Sequence, residues 1–388
     1  MLTLYSLPGG KLVYKGTGLR GATVHVIALS ELAGEIAAVL DSLAAAMPYG
    51  VHLTGAWLST YAEECMPPSA EPLLLLARDE FSGAVVGALP LRIEYVRGTR
   101  FWTHRRLVPL GRGPSDFFDV LAAPGWEERV CDEFADWLYE ERRSWDLLDL
   151  DLLPGGSSAW PRLVEALQRS GFVVTSSAAG AFYAVQVSVP WSALEQGRYR
   201  QSLRDLLKDR RRLERERIEV HVCFRSVEIC GLLPGMLDLY AQRREAKRQR
   251  NSFASPESRR FLFRAVEEYE RRRWSELATL HGPDGALWAA QLGWVFHGTW
   301  YAYTIVMNPN FAAYSPGKLL VYELVKRCCD DPQIKELNFM RGEAPYKAQF
   351  ATGKQPYYAL RVENPWSVRL KLTRAASRLV AVRDAILR

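Results

Sequence analysis

Residues 299–330 read TWYAYTIVMNPNFAAYSPGKLLVYELVKRCCD, and this stretch decides the fold of the second half of the chain. Thr299–Met307 is rich in aromatic and β-branched residues and predicts a strand, whereas Gly317–Asp330 has the apolar spacing of a helix. The loop between them ends in Ser-Pro-Gly. Such a loop leaves backbone N–H groups unpaired at the positive end of the helix dipole, and Gly317 lets the backbone approach a ligand. The stretch therefore predicts a phosphate-binding cradle, to which Lys318 adds charge, with an ordinary helix cap as the alternative.

A second polar segment follows the strand that the sequence predicts over Lys335–Met340. Open sheets place ligands at the carboxyl ends of their strands, so polar residues at this point favour a functional role over a surface turn. The segment offers a cation, a carboxylate, a phenol and an amine, which are carried by Arg341, Glu343, Tyr346 and Lys347.

Apolar periodicity predicts a similar order of elements in each half of the chain. The predicted elements of the first half are Ala22–Ala28, Glu31–Ala46 with Ser30 as its cap, Trp57–Glu64, Leu73–Arg78, Val85–Tyr95, Phe101–Leu110, Trp126–Arg143, Asp146–Leu152, Ala159–Ser170, Phe172–Thr175 and Phe182–Val189. Those of the second half are Glu219–Arg225, Leu232–Lys247, Pro256–Arg272 capped by Ser255, Ser275–His281, Leu287–Phe296, Thr299–Met307, Gly317–Asp330, Lys335–Met340, Ala344–Phe350 and Tyr357–Glu363.

This repetition predicts an α+β fold with mixed sheets of the α/β type, duplicated along the chain. A length of 388 residues exceeds one ordinary core and suits two. We expect an N-terminal domain over 1–190, a basic linker helix over 191–218, a domain that carries the chemistry over 219–365, and an amphipathic basic helix over 366–388.

Composition narrows the class of protein. Hydrophobic residues make up 48% and charged residues 24% of the chain, which is typical of soluble globular proteins. The sequence shows no apolar run of roughly 20 residues and no secretory signal, so we expect a cytoplasmic location. Six cysteines lack the spacing of a metal site, and we interpret the Cys328–Cys329 pair as helix packing. The net charge of +6 favours an anionic partner.

Two stretches combine basic residues with apolar residues at helical spacing. We interpret Arg198–Arg217 as a linker helix that packs its leucines on one half of the chain, with an anion-facing wall of the substrate cleft as the alternative. Trp366–Arg388 either caps its domain or makes a weak contact with an anionic membrane surface. The second alternative would place the protein at the inner face of the membrane.

The second half resembles a known family. Asn310–Leu320, Leu337–Glu343 and the Tyr346-Lys347 pair are similar to the CelD-like (cellulose-biosynthesis-type) acetyltransferases of the GNAT superfamily, which are related to the Fem tandem-GNAT peptidyltransferases. The resemblance is strong over Leu232–Ala351, and over residues 1–190 it is limited to the order of elements. It implies two tandem GNAT-like domains joined by a basic helix, and N-acyltransferase activity that uses acetyl-CoA or another acyl-CoA without a metal.

The resemblance also implies where the acyl-CoA lies. Its pyrophosphate rests on the loop before the second-half helix, and its pantetheine arm lies between the strands Thr299–Met307 and Lys335–Met340. A backbone N–H near the end of the first of these strands holds the thioester oxygen. The implied cofactor-binding residues are Tyr314, Ser315, Gly317, Lys318, Asn338, Ile305 and Met307.

The implied catalytic residues lie in the second polar segment. The acceptor amine attacks the thioester directly, and Glu343 receives its proton, through water or directly. Tyr346 protonates the leaving thiolate, while Lys347 and Arg341 hold phosphate or an acidic substrate. No serine or cysteine nucleophile is needed.

The chain departs from the family in two places. Relatives often carry a histidine on the first helix of the catalytic half, but Tyr240–Arg244 contains none, so the acceptor can differ from theirs. In the first half, Gly111–Asp116 lacks Ser-Pro-Gly before its helix, and we expect this half not to bind CoA. We interpret Asp116 and Asp119 as solvated loop carboxylates, with a role in an acceptor cleft as the alternative.

Two other functions remain open at this point. One is an aminoacyl-tRNA-dependent Fem-like peptidyltransferase; apart from its tRNA we expect no nucleic-acid partner. The other is a non-catalytic binding protein of an envelope or polysaccharide assembly. The sequence leaves open whether the acceptor is a small molecule, an amino sugar or a peptide, whether transfer is to nitrogen or oxygen, and how long the acyl chain is.

Overall fold

The computed structural model describes residues 5–7, 11–13, 21–32, 34–97 and 103–373 and divides into two compact units. The first unit comprises Met1–Ala179 and Tyr357–Arg388, and the second is Gly180–Pro356. The start of one predicted strand, Phe101–Leu110, and most of the predicted helix 366–388 lie outside the described residues. The predicted functional boundaries at 190, 218 and 365 stay predictions.

The elements of the first half are nine strands and four α-helices among the described residues. They are β1 Tyr5–Leu7, β2 Lys11–Val13, β3 Ala22–Ile27, α1 Glu35–Ala45, α2 Gly55–Glu64, β4 Glu71–Asp79, β5 Val85–Arg97, β6 Thr103–Pro109, β7 Leu121–Ala122, α3 Glu127–Glu140, β8 Leu147–Pro154, α4 Trp160–Arg169 and β9 Val173–Gln186. Short 3₁₀ turns lie at Leu29–Glu31 and Gly50–Leu53.

The second half repeats this order after a run of short helices. Its elements are α5 Trp191–Leu194, α6 Arg200–Ser202, α7 Arg204–Glu216, β10 His221–Arg225, α8 Leu233–Ala246, α9 Pro256–Arg271, β11 Ser275–His281, β12 Leu287–Phe296, β13 Thr299–Met307, α10 Pro316–Asp330, β14 Glu336–Asn338, α11 Pro345–Phe350 and β15 Gly353–Glu363. A π-helical turn covers Glu195–Tyr199, and 3₁₀ turns cover Ile229–Gly231 and Pro309–Tyr314.

Each unit is built on one mixed sheet, and the two sheets are alike. The first has the strand order β3-β4-β5-β6-β8-β15, with β7 paired to β5, and the second has the order β10-β11-β12-β13-β14-β9. In both sheets four antiparallel strands are followed by a short parallel pair, β6 with β8 or β13 with β14. The predicted fold class, a duplicated α+β architecture with mixed sheets, is confirmed.

The last strand of each sheet comes from the other half of the sequence. β9 follows α4 along the chain, but its end pairs antiparallel with β14 in the second unit. β15 follows α11, and its residues 357–363 pair antiparallel with β8 in the first unit. The two halves of the chain therefore exchange their final strands.

Most predicted elements are confirmed, because their apolar periodicity is strong. The bounds of β11, β12 and β13 are those predicted, and Ser255 accepts the Ser258 N–H as the cap of α9. Two predictions are wrong. The helix expected from Glu31 with a Ser30 cap begins only at Glu35, since Gly34 before it has φ 60° and interrupts the turn. The strands expected at 172–175 and 182–189 are one continuous strand, β9.

The expected exposure of Asp116 and Asp119 is also wrong, since they are 7% and 2% exposed. The loop that carries them, between β6 and α3, folds inward with Phe117 and Phe118 buried beside them. Burial raises the pKa of the Asp119 carboxyl to about 7, against hydrogen bonds from Ser157 and from the Val120 and Trp160 N–H groups.

The described part of the chain contains no helix that is long and apolar enough to span a membrane.

The second unit has a core of aromatic and aliphatic residues between its sheet and the helices α7 and α10. Trp300 of β13 lies fully buried in this core, with its indole N–H donated to the Glu276 carboxylate at 3.0 Å. Its ring covers Gly293 on β12 so closely that a Cβ at that position would overlap it. Gly293 is therefore required by its packing against a fully buried ring.

Replacing Gly293 by Ala should lower the free energy of unfolding by about 3 kcal/mol, because the overpacked strand must shift or displace Trp300. Gly235→Ala is the matched control, since an added Cβ there meets no atom within 4 Å on the exposed side of α8. That change should leave the free energy of unfolding unchanged or raise it by up to about 1 kcal/mol, because Ala favours a helix over Gly. Chemical denaturation measures both, and equal stability of the two variants would contradict the packing account.

Candidate functional site

The sheet of the second unit opens between two neighbouring strands. β13 pairs with the parallel strand β14 only through Thr299–Tyr301. The register between β12 and β13 shifts just beyond this point, where Thr304 and Ala302 pair with successive residues of β12 and leave Tyr303 as a bulge. From the bulge to Met307, β13 pairs with β12 on one side and has no described strand on the other. The gap exposes one backbone edge of β13.

Ile305 and Met307 lie on the part of β13 that borders this gap, as the sequence-based prediction requires. A Cβ built on Gly317 would lie 3.7 Å from Ile305 Cδ1 and 3.8 Å from Met307 Cβ. The start of α10 therefore sits directly against the unpaired end of β13. The structure brings these three predicted residues together.

The start of α10 has features of an anion site, but fewer free donors than the sequence predicts. Pro316 carries no N–H, and the N–H groups of Lys318 and Leu319 both point to the Ser315 carbonyl, at 2.9 and 3.0 Å. The Gly317 N–H has no backbone partner among the described residues. The first turn contains no acidic side chain, so the positive end of the dipole is not neutralised locally. The sequence predicts several unpaired N–H groups here, whereas among the described residues of this turn only the Gly317 N–H lacks a backbone partner.

An aromatic stack holds the loop before α10. The ring of Trp288 on β12 lies 4.4 Å from that of Phe311 and 5.4 Å from that of Tyr314, with nearly parallel planes. Asn308 begins the 3₁₀ turn by accepting the Asn310 N–H at 3.0 Å. Ser315, which ends it, is left-handed with φ 51°. The loop is therefore fixed at its start by Asn308 and at its end, next to the predicted phosphate site, by Ser315.

The basic helix α7 is joined to this loop. Its Leu206 and Leu213 are buried in the core of the second unit, which confirms the prediction that the leucines pack on one half of the chain. The Tyr314 hydroxyl donates to Glu216 at 2.9 Å, and the Arg212 guanidinium lies 4.9 Å from the Tyr314 ring centroid. The hydrogen bonds from Arg212 and Tyr314 lower the pKa of the Glu216 carboxyl. α7 thus forms one side of the loop and presents charge there.

The second polar segment starts where β14 ends. Asn338 is fully buried, and its amide donates to Glu336 at 2.9 Å while its carbonyl accepts the Met340 N–H at 2.8 Å. Met340 is left-handed with φ 57°, and Gly342 follows with φ 101°. These bonds and the reversed backbone turn the chain sharply away from the sheet. Asn338 therefore shapes the strand end, and its carbonyl and one amide hydrogen are already in use.

Lys347 is buried beneath this turn, with 8% of its surface exposed. Its amine donates to the Arg341 carbonyl at 2.5 Å and lies 3.5 Å from the Met340 carbonyl. The described contacts therefore give Lys347 a structural role at the turn, which the sequence did not predict. Arg341 and Glu343 are exposed on the same turn.

Tyr346 lies close to a cation that sequence reasoning did not select. Burial raises the pKa of the Tyr346 hydroxyl to about 12, although the nearby Arg243 guanidinium opposes the shift. Burial also lowers the pKa of Arg243. Arg243 belongs to α8, which packs against β13. The signal was present in the sequence, because Arg243 follows the buried Met236 and Tyr240 at helical spacing.

The structure thus forms two groups from the predicted residues. One joins Ile305, Met307 and Gly317 at the start of α10, and the other joins Asn338 and Lys347 at the end of β14. The Glu343 carboxylate makes no hydrogen bond or ion pair within the described part of the chain, and the same is true of the Lys318 amine. Tyr314 and Tyr346 both pack against the core of the second unit.

Comparison with known proteins places these groups in a recognised domain. Residues 198–348 match the family model described as an acetyltransferase (GNAT) domain. Every residue of the two groups, and also Arg243, lies inside this range. This part of the second half is therefore similar to GNAT acetyltransferase domains. No curated protein sequence matches the chain.

Solved structures show the same fold over both units. The crystal structure of FemX has 10% sequence identity and a TM-score of 0.60, and the match covers 91% of this chain and 99% of that chain. A conserved protein of unknown function from Bacteroides thetaiotaomicron has 13% identity and a TM-score of 0.53, with 87% and 98% covered. At this identity the likeness establishes a shared fold alone.

Replacing Lys347 by Met should lower the free energy of unfolding by about 1–3 kcal/mol, because two carbonyl groups at the buried turn lose their donor. Lys318→Met removes the same charge at a side chain without a described partner and should cost less than about 0.5 kcal/mol. Thermal and denaturant unfolding of both variants measure the difference. A Lys347 variant as stable as the Lys318 variant would show that the amine is not structural.

Proposed function

We propose that the chain is an acyltransferase of the CelD-like kind, which moves an acetyl or longer acyl group from acyl-CoA to an amine. The observation that carries this proposal is the gap between β13 and β14, which opens beside the start of α10. A strand edge with free backbone groups next to a helix start without acidic residues suits a long anionic thioester. The GNAT domain match over 198–348 supports the same assignment.

The residues at the start of α10 fit an acyl-CoA. The Gly317 N–H and the dipole of α10 suit a pyrophosphate, and Lys318 is available to add charge. The stack of Trp288, Phe311 and Tyr314 fixes the loop, so little ordering remains to be done on binding. When bound, acyl-CoA supplies an activated thioester carbon as the site of attack.

The residues of the chain then have the following proposed tasks. Backbone N–H groups of β13 between Ile305 and Met307 stabilise the oxyanion that forms when the amine attacks the thioester carbon. The amine loses one proton to Glu343, directly or through water. Tyr346 gives one proton to the sulfur as the carbon–sulfur bond breaks, which leaves an amide and a free thiol. A pKa of about 12 keeps the Tyr346 phenol protonated at neutral pH, as this task requires.

Arg243 is a proposed positioning residue for this step. Its positive charge beside Tyr346 favours the phenolate that exists after proton transfer, and so eases the loss of the proton. Arg341 remains a candidate for holding an acidic part of the substrate. The acceptor is proposed only as a class, namely an amine of a small molecule, an amino sugar or a peptide.

The aminoacyl-tRNA-dependent alternative has no specific support in the structure. α8 and α9 account for the chain between Leu233 and Arg271, and only residues 247–255 connect them. The described second unit therefore has no extra helical arm in this stretch. A non-catalytic role would require that acyl-CoA does not bind, which the next experiment tests.

Calorimetric titration with acetyl-CoA should show saturable binding to the wild type, with no effect of charged tRNA. Gly317→Trp should weaken this binding by at least about tenfold, since the indole fills the space at the start of α10. Gly317→Ala is the control, because a Cβ there makes only ordinary contacts with Ile305 and Met307. Melting temperatures identify a variant that has lost its fold. Undiminished affinity in a folded Trp variant would contradict the site, and tRNA-dependent transfer would establish the alternative.

Tyr346→Phe should reduce kcat for acyl transfer by about 10²-fold with little change in KM for acyl-CoA, since only the proton donor is removed. The wild-type rate should not fall between pH 7 and 10 through loss of this proton, because the pKa of Tyr346 is about 12. Tyr139→Phe, which alters an exposed tyrosine of the first unit, is the control. Assays use the best acceptor from an amine panel. A Tyr346 variant with the wild-type rate and pH profile would exclude the phenol as the acid.

A further inference from the structure

The first unit contains a basic cavity unrelated to the candidate site. It has a volume of about 440 Å³ and opens where α3 has ended and β6 and β8 begin. Four arginines, one aspartate and a tryptophan line it, together with two neighbours of the tryptophan. The charged and aromatic lining residues are Arg105, Arg142, Arg143, Arg369, Asp146 and Trp366.

The aspartate in the cavity neutralises only one of these arginines. Asp146 Oδ2 accepts the Arg105 backbone N–H at 2.6 Å and faces its guanidinium at 3.4 Å, while Oδ1 accepts the Ser367 hydroxyl at 2.6 Å. These bonds outweigh burial and hold the pKa of Asp146 below its ordinary value. Asp146 therefore stays charged and its oxygens are already occupied. Three guanidinium groups remain without a carboxylate among the residues that line the cavity.

The walls of the cavity are held in place by hydrogen bonds and ring packing. The Asn364 amide donates to the carbonyls of Arg142 and Trp145, at 2.6 and 2.7 Å, and so ties the segment after β15 to the segment after α3. The Trp366 ring packs edge-on against Phe172 and Tyr139, each at 5.3 Å between centroids. The site is preformed, so binding a ligand requires little rearrangement.

In the described part of the chain the three arginines without a carboxylate do not contact each other, although the Arg142 guanidinium donates to the Tyr139 carbonyl at 2.8 Å. Arg142 is stacked 4.4 Å over the Tyr139 ring and lies 5.8 Å from the Trp366 ring, which fixes its plane. Arg143 and Arg369 are exposed and make no ion pair within the described residues. Like charges held together without partners are unfavourable, and a multivalent anion removes this cost. Guanidinium groups match the oxygens of phosphate in pairs, and Trp366, 43% exposed, offers a face to the group that carries the phosphate.

We propose that this cavity binds a phosphate ester, through the guanidinium groups of Arg142, Arg143 and Arg369, with Trp366 against its organic part. The ester belongs either to a soluble molecule or to a phospholipid headgroup, and both present the same oxygens. The site lies in the first unit and uses no residue of the proposed acyl-CoA site. It therefore stands or falls independently of the proposed function.

The test uses the full chain and two probes, glycerol 3-phosphate and phosphatidylcholine vesicles with or without phosphatidylglycerol. Arg143→Glu with Arg369→Glu should weaken binding of the phosphate probe by at least about tenfold, by removing two donors and reversing their charge. Arg204→Glu with Arg215→Glu is the matched control, since it changes the net charge equally on the exposed side of α7. That variant should stay within about twofold of the wild type.

The affinities of the wild type and of the two double variants for each probe decide between the outcomes. Loss of binding in the cavity variant (Arg143→Glu with Arg369→Glu) but not in the control variant supports the site. The probe that binds to the wild type then identifies the ester as soluble or lipid-borne. Equal loss in both variants would show general charge attraction and overturn the proposal. So would an unchanged affinity in a folded cavity variant, or a wild type that binds neither probe. Melting temperatures of both double variants confirm that they are folded.

Discussion

The neighbouring parallel strands β13 and β14 of the second unit pair over only three residue pairs. The rest of the site depends on the gap that opens where this pairing ends. β14 is short because Asn338 and the left-handed Met340 turn the chain away from the sheet. β13 carries a bulge at Tyr303 and continues against β12 alone. The gap leaves an edge of backbone polar groups beside the start of α10. The unpaired backbone groups of a strand edge inside a folded unit cost free energy unless a ligand or water forms hydrogen bonds with them. The gap between β13 and β14 therefore favours a binding function.

In the first unit the corresponding parallel strands also separate after a short pairing, but the loop beside them is packed differently. β6 and β8 pair in parallel only at Arg106–Leu107 and Leu147–Leu148. The loop that follows β6 is packed with buried phenylalanine and aspartate side chains, and α3 begins with Glu127 and Glu128 in its first turn. Those carboxylates already occupy the positive end of that helix. The two units therefore share a fold, and among the described residues the start of α10 lacks the first-turn carboxylates that α3 has. That the first half does not bind CoA stays a prediction.

The sequence predicts local features well and distant pairings poorly. The strands β11 to β13 follow from alternating apolar residues, and the start of α10 is recognisable because Pro is common at the first position of a helix. The exchange of β9 and β15 was not predictable, since pairing between residues so far apart leaves no local signal. The burial of Asp116 and Asp119 was missed because loop carboxylates are usually solvated. Lys347 was predicted to hold phosphate or an acidic substrate from its place after a buried strand and from the family resemblance, and its structural bonds depend on the fold of the turn above it.

Amide hydrogen exchange with and without acetyl-CoA tests the central claim most directly, because it reports where the backbone is covered. Protection should increase in Tyr303–Met307 and in Gly317–Leu319, and the loop between β6 and α3 of the first unit should not change. Protection confined to that first-unit loop, or no protection anywhere at saturating acetyl-CoA, would contradict the assignment of the acyl-CoA site to the gap between β13 and β14.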